Sequence, residues 1–339
     1  MQFSIKEQAT EEDRTYFVAV EYQTARDNGF IPAHVPEEEA FLWHQQEVLQ
    51  FVENQPRTGI FLARTRRGPN TGRPHGNHSY AGLVWISISE NREPWDFQAS
   101  PAWIYDLWVE PEYRRQGLGT KLLQQAERWA RKAGLAKIGL HVFGSNDAAI
   151  RLYRSAGYRI LNRYLQKEIT PGTQISPSPT AFRIRERQPA RDDRHILALG
   201  YESYRTLALA GTEVSEQEMR ARYAQMASIE KLDQANHAVH VAEDAGGAFA
   251  GFAWAYRSKG DLGEKRYVWL QDLQVQPAVR NRGLGGQLLA QVESWTLAQD
   301  LDTIRTGVHT HNQVALHLLR SRGYCETNCF MYKDTNRSS

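Results

Sequence analysis

An internal duplication constrains this chain of 339 residues more than any other feature. Residues 103–158 align with residues 269–324 without a gap, at a constant offset of 166, and 24 of the 56 paired positions are identical. The offset is far longer than the roughly 20 to 50 residues of a solenoid repeat. Each copy is therefore expected to be a complete domain rather than one layer of a stack.

The boundary between the copies is predicted from a change in composition. Residues 170–180 (TPGTQISPSPT) hold three prolines and a glycine without apolar periodicity, which is typical of an exposed linker. We therefore expect one domain over residues 1–169, a linker over 170–180 and a second domain over 181–339. The first half also carries an insertion, most of it in residues 64–79, rich in arginine, glycine and proline.

Composition excludes several classes of protein. With 41% hydrophobic and 24% charged residues, the chain has the composition of a soluble globular protein, and its formal net charge of +2 predicts neither nucleic-acid nor membrane binding. The first residues include charged side chains, so we expect no signal peptide, and no apolar stretch is long enough to cross a membrane. Two cysteines, Cys325 and Cys329, are too few for a disulfide framework or a four-cysteine zinc site. A cytoplasmic protein without a metal is expected.

A glycine-containing segment follows a strand-like run in both copies. Because glycine lacks Cβ, the backbone can curl so that several N–H groups point into one concavity at a helix N-terminus, where a pyrophosphate binds. A nucleotide P-loop would need a G-K-[ST] ending that both copies lack, and a dinucleotide fingerprint would need a glycine where Leu122 and Leu288 stand. The two segments read Arg114, Arg115, Gln116, Gly117, Leu118, Gly119, Thr120 and Arg280, Asn281, Arg282, Gly283, Leu284, Gly285, Gly286.

A second signature follows each segment at a fixed distance. It runs from Asn146 to Gly157-Tyr158 in the first copy and from Asn312 to Gly323-Tyr324 in the second. With both motifs present twice, each half resembles the GNAT superfamily of acyl-CoA-dependent N-acyltransferases, most strongly over the duplicated segments. The resemblance implies an α/β (α+β) fold of two tandem domains. Each would be a mixed sheet flanked by helices and splayed between its fourth and fifth strands, with the pantetheine of CoA in that cleft.

The resemblance also implies an activity and a set of binding residues. The co-substrate would be acetyl-CoA and the acceptor a primary amine, on a small molecule or on a protein, with the chain acting as a monomer or a homodimer. Backbone groups near Leu107 would polarise the attacked carbonyl. Besides the two glycine segments, the expected CoA-binding residues are Leu107, Trp108, Val109 and Asn146 in the first half, and Leu273, Gln274, Val275 and Asn312 in the second.

Catalytic residues are predicted for the first half. Tyr153 matches the family tyrosine that stands beside the CoA sulfur as general acid. Asp106 is the nearest carboxylate for the amine proton, and it could equally hold a neighbouring backbone or side chain. Asp272 is its counterpart in the second half.

The second half has Leu319 where the first has Tyr153, and leucine cannot donate a proton. It could use another acid among His309, His311 and His317, bind CoA without turnover, or serve packing only. We expect an active first half and a degenerate, CoA-binding second half. A non-catalytic acyl-CoA sensor and a chain with two active halves are the alternatives, and the sequence does not identify the acceptor.

Overall fold

A computed structural model of the chain describes residues 3–31, 34–55, 57–65, 79–88, 102–170, 181–208, 215–258 and 266–335. Nearly all of the predicted linker 170–180 and of the loop 64–79 lies outside these residues. The described residues form two compact units. The first unit holds those up to Ile160 and those from Phe330 onwards, and the second holds Leu161–Cys329. No described helix is long and apolar enough to cross a membrane.

Among the described residues, strands and helices follow the same order in both halves, as the duplication predicts, except that the second half has an additional short helix, Ile229–Leu232. The strands are β1 (Phe3–Glu7), β2 (Thr58–Thr65), β3 (Ser79–Ile88), β4 (Ala102–Val109), β5 (Lys137–Phe143), β6 (Arg159–Glu168), β7 (Arg183–Glu186), β8 (His237–Glu243), β9 (Phe249–Arg257), β10 (Val268–Val275), β11 (Thr303–His309) and β12 (Cys325–Asp334). The helices are α1 (Glu11–Asp27), α2 (Glu37–Asn54), α3 (Leu118–Lys132), α4 (Asp147–Ser155), α5 (Pro189–Ala208), α6 (Glu216–Met226), α7 (Ile229–Leu232), α8 (Leu284–Ala298) and α9 (Gln313–Ser321).

Each unit contains a mixed sheet that opens at the same place. In the first unit β1 to β4 are antiparallel neighbours, and β5 lies parallel to β4. Their pairing runs only from Ala102 to Ile104 on β4. In the second unit β10 and β11 are paired in parallel through Val268 and Trp269. The predicted splayed mixed sheet flanked by helices is confirmed in both units.

A β-bulge shapes the strand beside each splay. On β4 the register against β3 shifts so that Tyr105 is an extra residue between Ile104 and Asp106. On β10 the shift falls at Gln271, which is the equivalent position of the second copy. A bulge re-aims the side chains next to it. The two bulges therefore set the direction of the aspartates that follow them.

The helix after each glycine segment packs through one apolar face. Leu118, Leu122 and Leu123 of α3 are at most 1% exposed, and so are Leu284, Leu288 and Leu289 of α8. These positions recur at the helical spacing that the sequence indicates. Burial of this face fixes the N-terminus of each helix beside its splay.

The two halves exchange their closing strands. In the second unit β11 pairs antiparallel with β6, a strand of the first half, from Thr303↔Glu168 to His309↔Asn162. In the first unit the neighbour of β5 is β12, of which Phe330–Asp334 belongs to that unit. The backbone N–H of Thr335 donates to the carbonyl of Ala136 at 2.8 Å. The compact units therefore differ from the sequence domains 1–169 and 181–339 at their closing strands.

Within each unit, a buried ion pair also joins a side chain of one half of the sequence to a side chain of the other half. Lys333 Nζ lies 3.0 Å from Glu127 Oε1 in the first unit, and Lys167 Nζ lies 2.7 Å from Glu293 Oε1 in the second. The two lysines occupy equivalent positions of the duplication, and so do the two glutamates. Each glutamate is 5% exposed. Each buried carboxylate is therefore neutralised by a lysine of the other half.

Candidate active site

The glycine segments form matching left-handed turns. Gly117 and Gly283 precede α3 and α8 as N-caps with φ of 78° and 79°. Arg115 and Asn281 also have positive φ, 62° and 61°. Left-handed residues before a helix turn successive N–H groups toward one side, where the helix dipole adds positive charge. Both segments therefore have the backbone shape that a pyrophosphate requires.

The second glycine of each segment has a packing role. A Cβ on Gly119 would lie 3.2 Å from Leu152 Cδ2, and one on Gly285 would lie 3.1 Å from Leu318 Cδ2. The first turn of each helix thus approaches the following helix too closely for most side chains. A Cβ at Gly119 or Gly285 would press on a leucine side chain, whereas Gly117 and Gly283 provide the left-handed turn.

Two predicted binding residues of each half also make local structural bonds. Arg114 Nε donates to the carbonyl of Val109 at 2.9 Å, and Arg280 Nε donates to that of Val275 at 3.1 Å. These bonds tie each segment to the end of its strand. Asn146 accepts from the backbone N–H of Ala149 and Asn312 from that of Ala315, both at 3.1 Å. The asparagines are therefore N-caps of α4 and α9.

Tyr153 and Asp106 are brought together in the first unit. Tyr153 on α4 is 6% exposed. Burial, with the nearby charge of Asp106, raises the pKa of the Tyr153 phenol above its ordinary value. The phenol is therefore a neutral hydrogen-bond donor at pH 7. Asp106 is half-buried on β4, at the divergence from β5.

Glu21 on α1, which the sequence analysis missed, completes this group. It shares a hydrogen bond with Asp106, and Thr24 Oγ1 donates to Asp106 Oδ2 at 3.1 Å. Burial, the charge of Asp106 and this hydrogen bond raise the pKa of Glu21 well above its ordinary value. Burial also raises the pKa of Asp106 to about 6, while Glu21 and Thr24 act to lower it. Of the two carboxyl groups, Asp106 is therefore the first to lose its proton as pH rises, and Glu21 is the hydrogen-bond donor to it. A signal in the sequence was that Glu21 and Thr24 lie at helical spacing from Phe17 and Val20, which are buried on α1.

The second unit has the same framework but lacks counterparts of Tyr153 and Glu21. Asp13 on α1 accepts from the backbone N–H of Ala9 at 3.1 Å, and Asp192 on α5 accepts from that of Gln188 at 2.7 Å. The two pairs are related by an offset of 179 in residue number, and the same offset places Gly200 at the position of Glu21. Leu319 is 4% exposed on α9, where Tyr153 lies on α4. The second unit therefore lacks both the phenol and the second carboxyl.

The three candidate histidines of the second unit, His309, His311 and His317, differ in their environment. His309 is 9% exposed and lines a cavity next to the splay. Burial, together with His311, lowers the pKa of His309 to about 4. His311 and His317 are exposed. Only His309 is positioned to replace the phenol, and its imidazole carries no proton to donate as an imidazolium at pH 7. Among the described residues, no group of three or more His, Cys, Asp or Glu could hold a metal ion.

Comparison with known proteins gives the family. The model of the acetyltransferase (GNAT) family matches residues 32–158 and 201–324, which together are more than half of the chain. The chain therefore belongs to the GNAT family of acetyltransferases, with one match in each half.

Curated relatives match shorter segments. The [ribosomal protein bS18]-alanine N-acetyltransferase of Escherichia coli (strain K12) is 44% identical over 57 residues, which are 17% of this chain and 38% of the relative. The uncharacterized N-acetyltransferase YdgE of Bacillus subtilis (strain 168) is 34% identical over 68 residues, 20% of this chain and 43% of the relative. The mycothiol acetyltransferase of Nocardiopsis dassonvillei is 44% identical over 55 residues, 16% of this chain and 17% of the relative. The chain thus spans less than half the length of each.

Nearly the whole chain can be aligned with a solved structure. A GCN5-related N-acetyltransferase from Sphaerobacter thermophilus aligns with 99% of this chain and 97% of its own, with a TM-score of 0.56 and 18% identity. At this identity the similarity concerns the fold.

Proposed function

We propose that the chain is an acetyl-CoA-dependent N-acetyltransferase whose first unit transfers the acetyl group to a primary amine. The observation that carries the proposal is the meeting of Tyr153, Asp106 and Glu21 at the splay between β4 and β5. A neutral phenol and a carboxylate of raised pKa, together in one cleft, are the acid and the base that acyl transfer to an amine requires.

Binding of acetyl-CoA is assigned to the glycine segments. The pyrophosphate would bind the N–H groups of residues 114–120, with the thioester extending along β4. Residues 280–286 repeat the backbone conformation, so we expect the second unit to bind CoA as well. The backbone of Leu107 to Val109 lies beyond the last residue of β4 paired with β5, which leaves it available to polarise the thioester carbonyl.

The amine must lose a proton before or during attack. An alkylammonium has a pKa near 10.4, so its deprotonation at pH 7 costs roughly 4.6 kcal/mol. Asp106 is the acceptor of this proton, directly or through water, and Glu21 orients it by a hydrogen bond. A carboxylate whose pKa is about 6 is a better base near neutral pH than an ordinary aspartate.

Departure of the thiolate is assisted by Tyr153. The amine nitrogen attacks the carbonyl carbon, the carbon–sulfur bond breaks, and the sulfur receives the electron pair. A phenol is a weaker acid than a thiol, so its contribution is a hydrogen bond that strengthens as charge develops on the sulfur. The products are the amide and CoA.

The acceptor is proposed only by class. A relative named for a ribosomal protein makes a protein α-amine one candidate, and small amines and amino acids are others. The test is release of CoA from acetyl-CoA with a panel of amines, comparing the wild type with Asp106→Asn. Amine-dependent release that Asp106→Asn reduces supports the proposal. No release with any amine by a protein that binds acetyl-CoA would favour a sensor instead.

A further inference from the structure

A groove of about 430 Å³ follows α3 on the first unit, from Thr120 to Arg131. Its other wall is formed by Ser155 and Ala156 at the end of α4, and Lys333 of β12 also lines it. Sites for small organic molecules typically measure about 300 to 1,000 Å³. Of the described residues that we assign to CoA binding, only Thr120 lines the groove. The groove is therefore a candidate site separate from the cleft at the splay.

One carboxylate lies in the groove, and its charge is already neutralised. Glu127 is 5% exposed, and Lys333 Nζ lies 3.0 Å from its Oε1. The remaining charged side chains of the lining are Arg128 and Arg131. The groove therefore has a surplus of positive charge, which belongs to these two arginines.

The two arginines have no close acidic partner among the described residues. Arg128 is exposed and donates from Nε and Nη2 to the neutral Oε1 of Gln125, at 3.2 and 2.6 Å. Arg131 is also exposed, and its Nη1 lies 3.9 Å from Glu127 Oε2. Residues three apart on a helix have Cβ atoms roughly 5 to 6 Å apart, so both guanidinium groups can contact one anion. The planar guanidinium donates to phosphate oxygens with matching geometry.

The equivalent helix of the second unit shows that folding does not require these charges. α3 contains four lysines and arginines, whereas α8 contains none. At the positions of Arg128 and Arg131, α8 has Ser294 and Leu297. Both helices nevertheless bury the same leucine face. The arginines of α3 are therefore available for a role other than packing.

The second unit also fills the place that is open in the first. It has Arg322 at the position of Ala156 and Gly286 at the position of Thr120. The Arg322 guanidinium lies so close to Gly286 that a Cβ there would collide with it. Arg322 therefore covers in the second unit the turn of the helix that lines the groove in the first.

We propose that the groove binds the phosphate group of a small phosphorylated metabolite, with its charge against Arg128 and Arg131. A phosphate monoester carries about two negative charges near neutral pH and three strong acceptor oxygens. The groove has the volume of about 14 water molecules at roughly 30 Å³ each, so an organic group fits beside the phosphate. This ligand is neither acetyl-CoA nor the amine, and the proposal does not rest on the proposed function.

The test uses the full chain saturated with CoA, in a phosphate-free buffer at pH 7.5, and glycerol 3-phosphate as the probe. CoA occupies the glycine segments, so anion binding there does not contribute. Isothermal titration calorimetry should detect the probe, and neutral glycerol should bind at least about tenfold more weakly. Equal affinity for glycerol, or binding of the probe only when CoA is left out, would overturn the proposal. Inorganic phosphate should bind more weakly than the probe, and equal affinity would overturn the ester and leave the free ion as the ligand.

Matched variants locate the site. Arg128→Gln and Arg131→Gln should each weaken binding of the probe at least about tenfold, because each removes charge-assisted hydrogen bonds to the phosphate. Lys132→Gln removes an exposed cation of the same helix that does not line the groove, and its affinity should stay within about twofold of the wild type. Wild-type affinity in a folded double variant of the two arginines, or an equal loss in Lys132→Gln, would contradict the assignment.

Two further controls keep the result interpretable. Circular dichroism checks that the variants are folded, and if they are not, the wild-type comparison with glycerol decides the question. If the chain does not bind CoA, the proposed function fails, and the titration is repeated without CoA on the same variants. Failure of this proposal and failure of the proposed function are therefore distinguishable.

Discussion

At the scale of single residues, the two units differ at the positions to which we assign the proton transfers. Tyr153 in the first unit corresponds to Leu319 in the second, and Glu21 corresponds to Gly200. The aspartate between them is present in both units as Asp106 and Asp272, each with a pKa raised to about 6 by burial. The two units thus share one framework but differ in the side chains that can donate or accept a proton. Substitutions can test this difference.

Changing Tyr153 to Phe removes only the phenolic donor. We expect kcat to fall by roughly 10² to 10⁴ while CoA affinity stays nearly constant, because the hydrogen bond to sulfur is made as the carbon–sulfur bond breaks. Steady-state kinetics and calorimetry with CoA measure the two quantities. The control is Tyr158→Phe, whose ring lies 5.7 Å from that of Tyr153 and which should leave kcat within about twofold. A Tyr153→Phe enzyme with wild-type kcat would show that another group serves the sulfur.

The Glu21–Asp106 pair predicts how kcat/KM changes at acidic pH. Asp106 accepts a proton only when ionised, so kcat/KM should decrease as pH falls through about 6. Glu21→Gln keeps a donor to Asp106, and its profile should stay close to that of the wild type. Glu21→Leu removes the donor that lowers the pKa of Asp106, so its acid limb should move to higher pH. Identical profiles for the two variants would argue against a role of Glu21 in positioning the base.

At the scale of elements, each site depends on a strand, a bulge and a helix N-terminus that recur at equivalent positions of the two copies. The bulges at Tyr105 and Gln271 turn the aspartates, and the splay ends the pairing of β4 with β5 and of β10 with β11. Gly119 and Gly285 allow α3 and α8 to approach the helices that follow them. Equivalent substitutions in the two units therefore meet nearly the same surroundings.

This equivalence gives a paired test of which unit is active. A glutamate at position 119 or 285 would place a side chain and a negative charge at the anion site of its own unit. Gly119→Glu should abolish CoA binding by the first unit and nearly all amine acetylation. Gly285→Glu should empty only the second site and leave most of the activity. Calorimetry with CoA and the acetylation assay give the two readouts.

Alanine variants at the same positions are the controls. Gly119→Ala and Gly285→Ala add the methyl group that contacts Leu152 or Leu318 without the charge, and both should fold. If folded Gly285→Glu loses acetylation and folded Gly119→Glu keeps it, the active unit is the second one, and His309 becomes the group to test.

The sequence predicted the features that depend on local pattern. The two motifs carried the family resemblance that implied the splayed sheet, and the glycine segments predicted the tight turns before α3 and α8. Glu21 was missed because its meeting with Asp106 depends on tertiary packing between distant parts of the sequence. The strand exchange was missed for a related reason. The closing strands are similar in both halves, so pattern alone does not distinguish pairing within a half from pairing between halves.

At the scale of the whole molecule, each unit is completed by a strand from the other half of the sequence. Phe330–Asp334 belongs to the first unit, where the Phe330 ring stacks on Trp103 with centroids 5.2 Å apart. β6 gives the second unit the strand that pairs with β11. A substitution can therefore act on the unit opposite to its position in the sequence.

Substitutions of Lys333 and Lys167 test directly whether each unit is stabilised by a strand from the other half. Lys333→Met leaves the buried carboxylate of Glu127 without its lysine and should destabilise the first unit by about 3 to 5 kcal/mol. Lys167→Met should do the same to the second unit through Glu293. Urea unfolding, followed with the acetylation assay, measures the effect. If Lys333→Met instead weakened only the second unit, the exchange would be wrong.

The separated halves should depend on each other. A polypeptide of residues 1–169 has β6 but lacks β12, and it leaves the edge of β5 unpaired, so we expect it to be poorly folded and inactive. Mixing or co-expressing it with residues 181–339 should restore acetylation. Circular dichroism and size-exclusion chromatography follow the assembly. Full activity of residues 1–169 alone would contradict the need for β12.

The exchange of closing strands also means that the first unit is completed late during synthesis of the chain. About 175 residues separate the end of α4 from Phe330, and at roughly 5 to 20 residues per second the ribosome needs about 9 to 35 s to make them. During that interval the nascent first unit has its candidate acid and base but not the strand that covers β5. A chain that stops before residue 330 would lack that strand permanently, and its unpaired edge would be open to chaperones and proteases. The first unit is therefore complete only after nearly all of the second half has been synthesised.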